Sequence, residues 1–309
     1  MAEATYDCII IGAGPAGLSA ALFLARYRRN ALTLHHNNPR NIYSHGVHGF
    51  LGHDGILPAD LLARGQEEVI KFGGQILEAC ATQVQRVSDD LFRVTTGDND
   101  INGHNFSARR LLLATGLRDL TPDCPGFREF YGASVHHCPD CDGFEVTGKR
   151  VAVLGHGPNT VGFTLRLLTW TDQLTVLTDG HALADGAAQL AKLQEFGIPL
   201  REEKVAGLEG DLKACQLERV RFDQGAALEC DALFFNLGTQ PVSNLHEELG
   251  CKVVDDLIWV DHCQQTSVSG VYAAGDITPN SQLAVVAAAE GAMAAIQIHQ
   301  SLIPESQRV

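Results

Sequence analysis

Tyr6–Ile11 reads Y-D-C-I-I-I and runs straight into Gly12–Gly17, G-A-G-P-A-G, after which residues 18–27 have helix-forming composition. A short apolar run ahead of a glycine turn reads as a buried strand. In a G-x-G-x-x-G turn set between strand and helix, the first glycine permits the tight turn. The second lets a pyrophosphate reach the backbone, and the third lets helix and strand pack closely. The helix start adds amide donors and positive partial charge for phosphate oxygens. Gly12, Gly14 and Gly17, with Pro15 and Ala16 among them, are the first candidate nucleotide-binding residues. The next strand, Ala31–Leu34, lacks the acidic residue that usually takes a ribose hydroxyl. His35-His36-Asn37-Asn38 stands there, so His35 or Asn38 is expected to hold the ribose.

The pattern recurs once. Lys149–Leu154 is a second strand, Gly155-His-Gly157-Pro-Asn-Thr160 a second glycine turn, and 160–170 a second helix. Thr160 replaces the third glycine, a looser fit. Gly155, Gly157, Pro158, Asn159 and Thr160 are candidates for a second nucleotide. The next strand, Leu174–Thr178, ends at Asp179, about 20 residues past the turn, the spacing at which an acid grips a ribose 2′-hydroxyl. Asp179-Gly180 is equally a turn former, and the two roles stay open.

Between these turns lies Val135–Glu145, V-H-H-C-P-D-C-D-G-F-E. Cys138 and Cys141 are spaced to close and reopen a small disulfide, and Asp142 follows directly. Cys-x-x-Cys beside βαβ patterns reads as a redox pair. Half of a zinc site is the alternative, but it needs a second Cys/His pair at ligand spacing. There is no second Cys-x-x-Cys, and the one suitable histidine pair, His48 and His53, lies far upstream in a glycine-rich loop. No metal site is expected. Thiolate is the reacting form, so Asp142 is placed to exchange the proton.

At 309 residues the chain is long enough for two domains, and with 45% apolar and 19% charged residues it has the composition of a globular protein. A net charge of −14 argues against nucleic acid and acidic membranes as partners. No apolar run reaches the roughly eighteen residues of a membrane span. The first apolar run is too short for a signal peptide, and nine cysteines scattered mostly singly do not make a disulfide scaffold. A cytoplasmic location is expected.

The remaining segments supply further candidates. Residues 40–61 form a long glycine- and histidine-rich loop, of the kind that is usually functional; Gly49 is its candidate cofactor contact. Residues 60–75 read as an amphipathic helix, and 82–113 as an antiparallel excursion. Leu111–Thr115 closes in Ala114-Thr115-Gly116, a strand end beside ligand. Gly270–Thr278 reads G-V-Y-A-A-G-D-I-T and delivers Gly275 and Asp276 to a loop, where Asp276 serves as ligand contact or as cap. Gln282–His299 is an alanine-rich helix whose small early residues suit packing on a flat ligand.

Taken together and in order, G-A-G-P-A-G, A-T-G at 114–116, C-P-D-C-D-G at 138–143, the second glycine turn and Y-A-A-G-D at 272–276 resemble the low-molecular-weight thioredoxin reductases over nearly the whole chain. The resemblance implies an α/β fold of two Rossmann-like, three-layer β/β/α nucleotide-binding domains. An FAD domain of residues 1–118 and 246–309 would be split by an inserted second domain, 119–245, carrying the disulfide. It also implies a homodimer. Gly12, Gly14 and Gly17 would hold the FAD pyrophosphate and Asp276 the ribityl–phosphate region, with Gln282, Leu283 and Ala284 near the isoalloxazine. Cys141 would face the flavin, Cys138 the substrate, and Asp142 would be the acid–base group.

One stretch departs from the pattern. NADPH-dependent members carry a basic H-R-R cluster where this chain has Thr178-Asp179-Gly180. A carboxylate repels a 2′-phosphate, which disfavours NADPH and leaves NADH chemically open. His48–Gly55 also resembles flavin-dependent dithiol oxidases, and H-C-P-D-C-D-G-F-E resembles diflavin-linked disulfide oxidoreductases that bind a second FAD in place of NADPH. The leading expectation is therefore a diflavin enzyme that oxidises thiols, acting on a small dithiol or a thioredoxin-like protein. The alternatives are a thioredoxin reductase fed by NAD(P)H or ferredoxin and, ranked low, a non-catalytic flavin redox sensor.

Overall fold

A computed structural model describes residues 5–97 and 103–307. Residues 98–102, inside the expected antiparallel excursion, lie outside the described residues. Contacts divide the chain into two compact units, one of residues 1–42, 49–118 and 240–309, the other of 43–48 and 119–239.

The first unit begins with β1 (Thr5–Ile11), α1 (Pro15–Arg26) and β2 (Ala31–His35). Cys8, Ile9 and Ile10 have no exposed surface, as expected for a parallel strand covered on both faces. There follow α2 (Pro58–Lys71), β3 (Gln75–Glu78), β4 (Ala81–Ser88), β5 (Leu91–Thr96), β6 (Asn105–Leu113) and β7 (Leu117–Asp119). The expected 60–75 helix is shifted to 58–71, because Pro58 suits a first turn and Gly73, at φ +83°, ends it.

The second unit holds α3 (Phe127–Phe130), β8 (Val135–His136), α4 (Pro139–Asp142), β9 (Val151–Leu154), α5 (Thr160–Arg166), β10 (Leu174–Leu177), α6 (Gly186–Glu195) and β11 (Leu200–Arg201). The helix expected over 160–170 is α-helical to Arg166 and finishes as a 3-10 turn, Leu167–Thr169. The antiparallel strands β12 (Val205–Asp211), β13 (Gln216–Phe222) and β14 (Leu228–Glu229) precede β15 (Ala232–Phe235) and β16 (Thr239–Pro241). The main sheet runs β11-β10-β9-β15-β8, all parallel. One of its faces packs against the β12–β14 sheet through Phe127, Phe130, Leu208 and Val220. On the other, Val161 of α5 and Leu193 of α6 join Val153, Val176 and Phe234 of the sheet.

The chain then completes the first unit with α7 (Leu245–Glu248), β17 (Val253–Val254), β18 (Leu257–Ile258), β19 (Val271–Ala273) and α8 (Ala284–Ser301). Its sheet runs β3-β2-β1-β6, and the long β6 has two partners on its outer edge. Its first half pairs antiparallel with β5, its second half parallel with β19. α1 and α8 cover one face, and their approach is close. A Cβ on Gly291 of α8 would stand 2.0 Å from the Ala16 carbonyl oxygen, so the alanine-rich composition of α8 is a packing requirement. The other face is buried against Phe92, Leu245 and Ile258. Among the described residues no helix is long and apolar enough to cross a membrane.

Candidate active site

In the first unit the turn after β1 has the steric character its glycines imply. Gly12 sits at φ +113°, and a Cβ there would lie 2.1 Å from the Ala114 carbonyl oxygen. A Cβ on Gly17 would lie 1.8 Å from the Gly12 carbonyl oxygen, whereas Gly14 meets nothing within 4 Å. The turn is thus closed at its ends and open at its middle. Gly14 is the N-cap of α1 with no side chain capping it, and Pro15 is the first helical residue. An uncapped, open N-terminus of a 12-residue helix is a place for phosphate, so these residues fit an FAD pyrophosphate. Thr115, whose amide is 3.3 Å from that Cβ position at Gly12, and Gly116, at φ +69°, follow the end of β6.

Ala16 also touches the other end of the chain: a Cβ on Gly275 would lie 3.0 Å from its methyl. The turn after β19 carries Asp276, which is half-buried and paired with Arg40 at 2.9 Å. The Arg40 guanidinium also donates to Gln282 Oε1 at 2.7 Å. Leu283, extended at φ −114°, is the N-cap of α8, so the helix begins at Ala284 and not at Gln282. Gly12–Gly17, Gly275, Asp276 and Gln282–Ala284 are thereby gathered around the starts of α1 and α8.

Sequence reasoning did not single out Arg40, 236 residues from its partner. It also missed Glu290, 5% exposed on α8. This carboxylate accepts from Gly275 N at 2.6 Å, Thr278 Oγ1 at 3.0 Å and Asn280 Nδ2 at 2.6 Å, bracing the loop that carries Asp276. A lone acid in A-V-V-A-A-A-E-G-A was the available clue.

His35 closes β2, where burial, against the opposing charge of Glu78, lowers its pKa and favours the neutral imidazole. Asn38 is exposed in the following turn. Gly49, at φ +71°, donates its amide to Asp54 Oδ1 at 2.8 Å in the long loop.

In the second unit Cys138 and Cys141 form a disulfide, with Cα atoms 5.2 Å apart. Cys138 is the N-cap of the single turn α4, and its sulfur accepts from the Cys141 amide at 3.1 Å. Short α4 follows from Pro139, which starts a helix well. Asp142 ends that turn, and its Oδ1 lies 3.3 Å from Nδ1 of the buried His136. Tyr131 donates to Asp119 Oδ2 at 3.1 Å, and His137 Nδ1 lies 3.9 Å from the same oxygen.

At the second glycine turn, Gly157 is open while a Cβ on Gly155 would meet Thr160 Oγ1 at 2.9 Å. Thr160 is fully buried with no partner for its hydroxyl, and Asn159 is the N-cap of α5 with no capping bond from its side chain. Pro158 and Asn159 are exposed. Gly157 leaves this turn open to a nucleotide, which the residues fit. His156 stacks on His181, ring centroids 4.3 Å apart. Asp179, at φ +54°, accepts from Val205 N at 2.7 Å through Oδ1. Burial first, and then the Asp179 charge, push the Cys124 thiol up to about 11. The Lys204 Cβ lies 3.6 Å from a Cβ position at Gly180.

A chain that joins a nucleotide-binding α/β unit to a parallel-sheet unit with a Cys-x-x-Cys disulfide and an adjoining acid is a flavin-dependent disulfide oxidoreductase. The family model for pyridine nucleotide-disulphide oxidoreductases matches residues 6–291, and the chain belongs to that family. A thioredoxin reductase of Treponema pallidum is 29% identical over 306 residues, covering 95% of this chain and 96% of that protein. Among solved structures, one from Bacillus anthracis assigned as a thioredoxin reductase superposes with a TM-score of 0.87 at 30% identity, covering 96% of this chain and 98% of that one. HlmI superposes with a TM-score of 0.89 at 34% identity, covering 96% and 92%. The α/β fold with Rossmann-like parallel sheets and an inserted second domain is shared with them.

Proposed function

We propose that this chain is a thioredoxin-reductase-type enzyme that passes electron pairs from a nicotinamide nucleotide, through FAD, to Cys138–Cys141 and on to the disulfide of a thioredoxin-like protein. The observation that carries it is the formed Cys138–Cys141 disulfide with Asp142 on the same helical turn. The names of its relatives favour this reductase over the thiol-oxidising diflavin enzyme that leads on sequence grounds.

In this reading residues 1–118 and 246–309 form the FAD domain, and 119–245 the second nucleotide-binding domain with the redox pair. Gly12–Gly17, Thr115, Gly116, Gly275, Asp276 and Gln282–Ala284 hold FAD, which supplies two-electron storage. Arg40 and Glu290 keep the Asp276 loop in place. Gly155–Thr160 receive the nicotinamide nucleotide. Cys141 exchanges with the flavin, Cys138 with the partner disulfide, and Asp142 moves the proton that thiol–disulfide exchange requires. The protein acts as a homodimer, and unpaired cysteines at seven positions suit a reducing cytoplasm.

A second reading keeps the fold and replaces the nicotinamide nucleotide by a second FAD, with electrons entering from a dithiol. Thr178-Asp179-Gly180, where a 2′-phosphate would meet a carboxylate, favours it. Anaerobic titration with NADPH and then NADH, together with flavin counted after denaturation, separates the two. Bleaching of the flavin by either nucleotide at one FAD per chain supports the reductase. Bleaching by a dithiol alone, with two FAD per chain, overturns it.

A further inference from the structure

The two histidines before Cys138 are adjacent, and consecutive residues along an extended chain face opposite sides. His136 turns inward against Phe234 of β15, ring centroids 5.2 Å apart, and meets Asp142 at 3.3 Å. His137 turns toward Asp119 and Tyr131. The side chains of His136 and Asp142 are only 7% and 15% exposed. The segment between them carries the disulfide, and the carboxyl assigned to proton exchange is backed directly by a buried imidazole.

Resting on the proposed role of Asp142, we propose that His136 is a positioning residue that orients the Asp142 carboxyl, which carries the exchange proton, and places a positive charge behind it. The electron pair from the flavin-dependent activity breaks the S–S bond. One proton passes from the Asp142 carboxyl to one sulfur while His136 keeps its own, leaving one thiol, one thiolate and an imidazolium–carboxylate pair. When the dithiol is reoxidised, the pair takes that proton back. A carboxylate alone repels a nascent thiolate; with protonated His136 the pair is close to neutral and tolerates it. Of the groups described against His136, α4 contributes the titratable Asp142, and β15 contributes the uncharged Phe234.

The test uses the FAD-loaded enzyme, reduced with immobilised phosphine, and follows iodoacetamide alkylation of Cys138 and Cys141 by mass spectrometry between pH 5 and 9. His136→Gln is expected to move the alkylation midpoint up by about 1 pH unit, a tenfold fall in thiolate at neutral pH. An unmoved midpoint in a folded His136→Gln protein overturns the inference and leaves His136 a core residue. Asp142→Asn separates the two ideas. If it changes neither alkylation nor dithiol turnover, the underlying role of Asp142 falls; if it slows turnover while His136→Gln leaves the midpoint unmoved, only the His136 proposal falls. Should His136→Gln not fold, 15N imidazole titration of the wild-type enzyme answers the same question. The His136 midpoint must differ between disulfide and dithiol states, and identical midpoints overturn the proposal.

Discussion

Replacing Glu290 by alanine tests whether the loop after β19 is held in place from within the fold. Three donors meet the carboxylate, but they do not all lose equally. The Thr278 hydroxyl also lies 2.9 Å from the Gly275 carbonyl oxygen and can turn to it, and the exposed Asn280 can turn to water. Only the Gly275 amide, now 2.6 Å from Oε2, is left without an acceptor. A hydrogen bond to a charged group contributes about 1.5–3 kcal/mol net. If the loop presents Asp276 to FAD, that loss appears in the flavin dissociation constant as a weakening of roughly 10- to 100-fold. The assay is fluorescence titration of deflavinated protein with FAD. Glu290→Gln keeps an oxygen for the Gly275 amide and should lie between wild type and alanine. A folded Glu290→Ala protein that binds FAD within about twofold of wild type would refute the reasoning.

Gly17→Ala places a methyl 1.8 Å from the Gly12 carbonyl oxygen. The strain is expected to cost about 1–3 kcal/mol, read as flavin-free protein on purification and a lowered Tm. Cys141→Ser should keep its flavin and lose electron exchange with dithiols, followed by flavin bleaching under anaerobic dithiol; surviving bleaching would remove the disulfide from the path. Burial, reinforced by the Arg29 charge, lowers the pKa of His299, whose neutral Nδ1 accepts from Arg29 at 3.0 Å. A lowered histidine pKa means stability that is present above the unfolded value of 6.5 and lost as pH falls below it. His299→Gln should therefore flatten the fall in Tm between about pH 7 and pH 5.

The sequence revealed most where structure is decided locally. The first glycine turn was legible because β1, the turn and the start of α1 are consecutive, with Gly17 answering to Gly12, Gly12 to the residue just past β6, and Gly14 left open. The redox turn was legible for the same reason: Cys138, Pro139 and Cys141 share one helical turn. What stayed hidden was pairing across distance. Arg40 lies in a loop with no regular pattern, and nothing near it announces Asp276. His136 and Asp142 are close in sequence, yet their contact depends on β8 joining β15 edge to edge, which turns His136 inward.

The second nucleotide turn shows why a charge read at one position is a weak guide to ligand choice. Read along the chain, Asp179 is an acid at ribose spacing with no arginine following until Arg201. In the fold, one of its oxygens is taken by the Val205 amide, and its left-handed backbone forms the turn with Gly180. That turn is bonded to the chain leaving β11: the Gly180 amide donates to Glu202, and the backbone of Lys204 lies against Gly180. A strand end in a parallel sheet is flanked by its neighbour's end, so the charge a ligand meets is the sum over both. Here Arg201 is paired with Glu203 at 2.9 Å, and the exposed Lys204 is offset by the exposed Glu202. The neighbouring strand end therefore adds no net positive charge for a 2′-phosphate, and the anaerobic nucleotide titration, not the charge at one position, decides the donor.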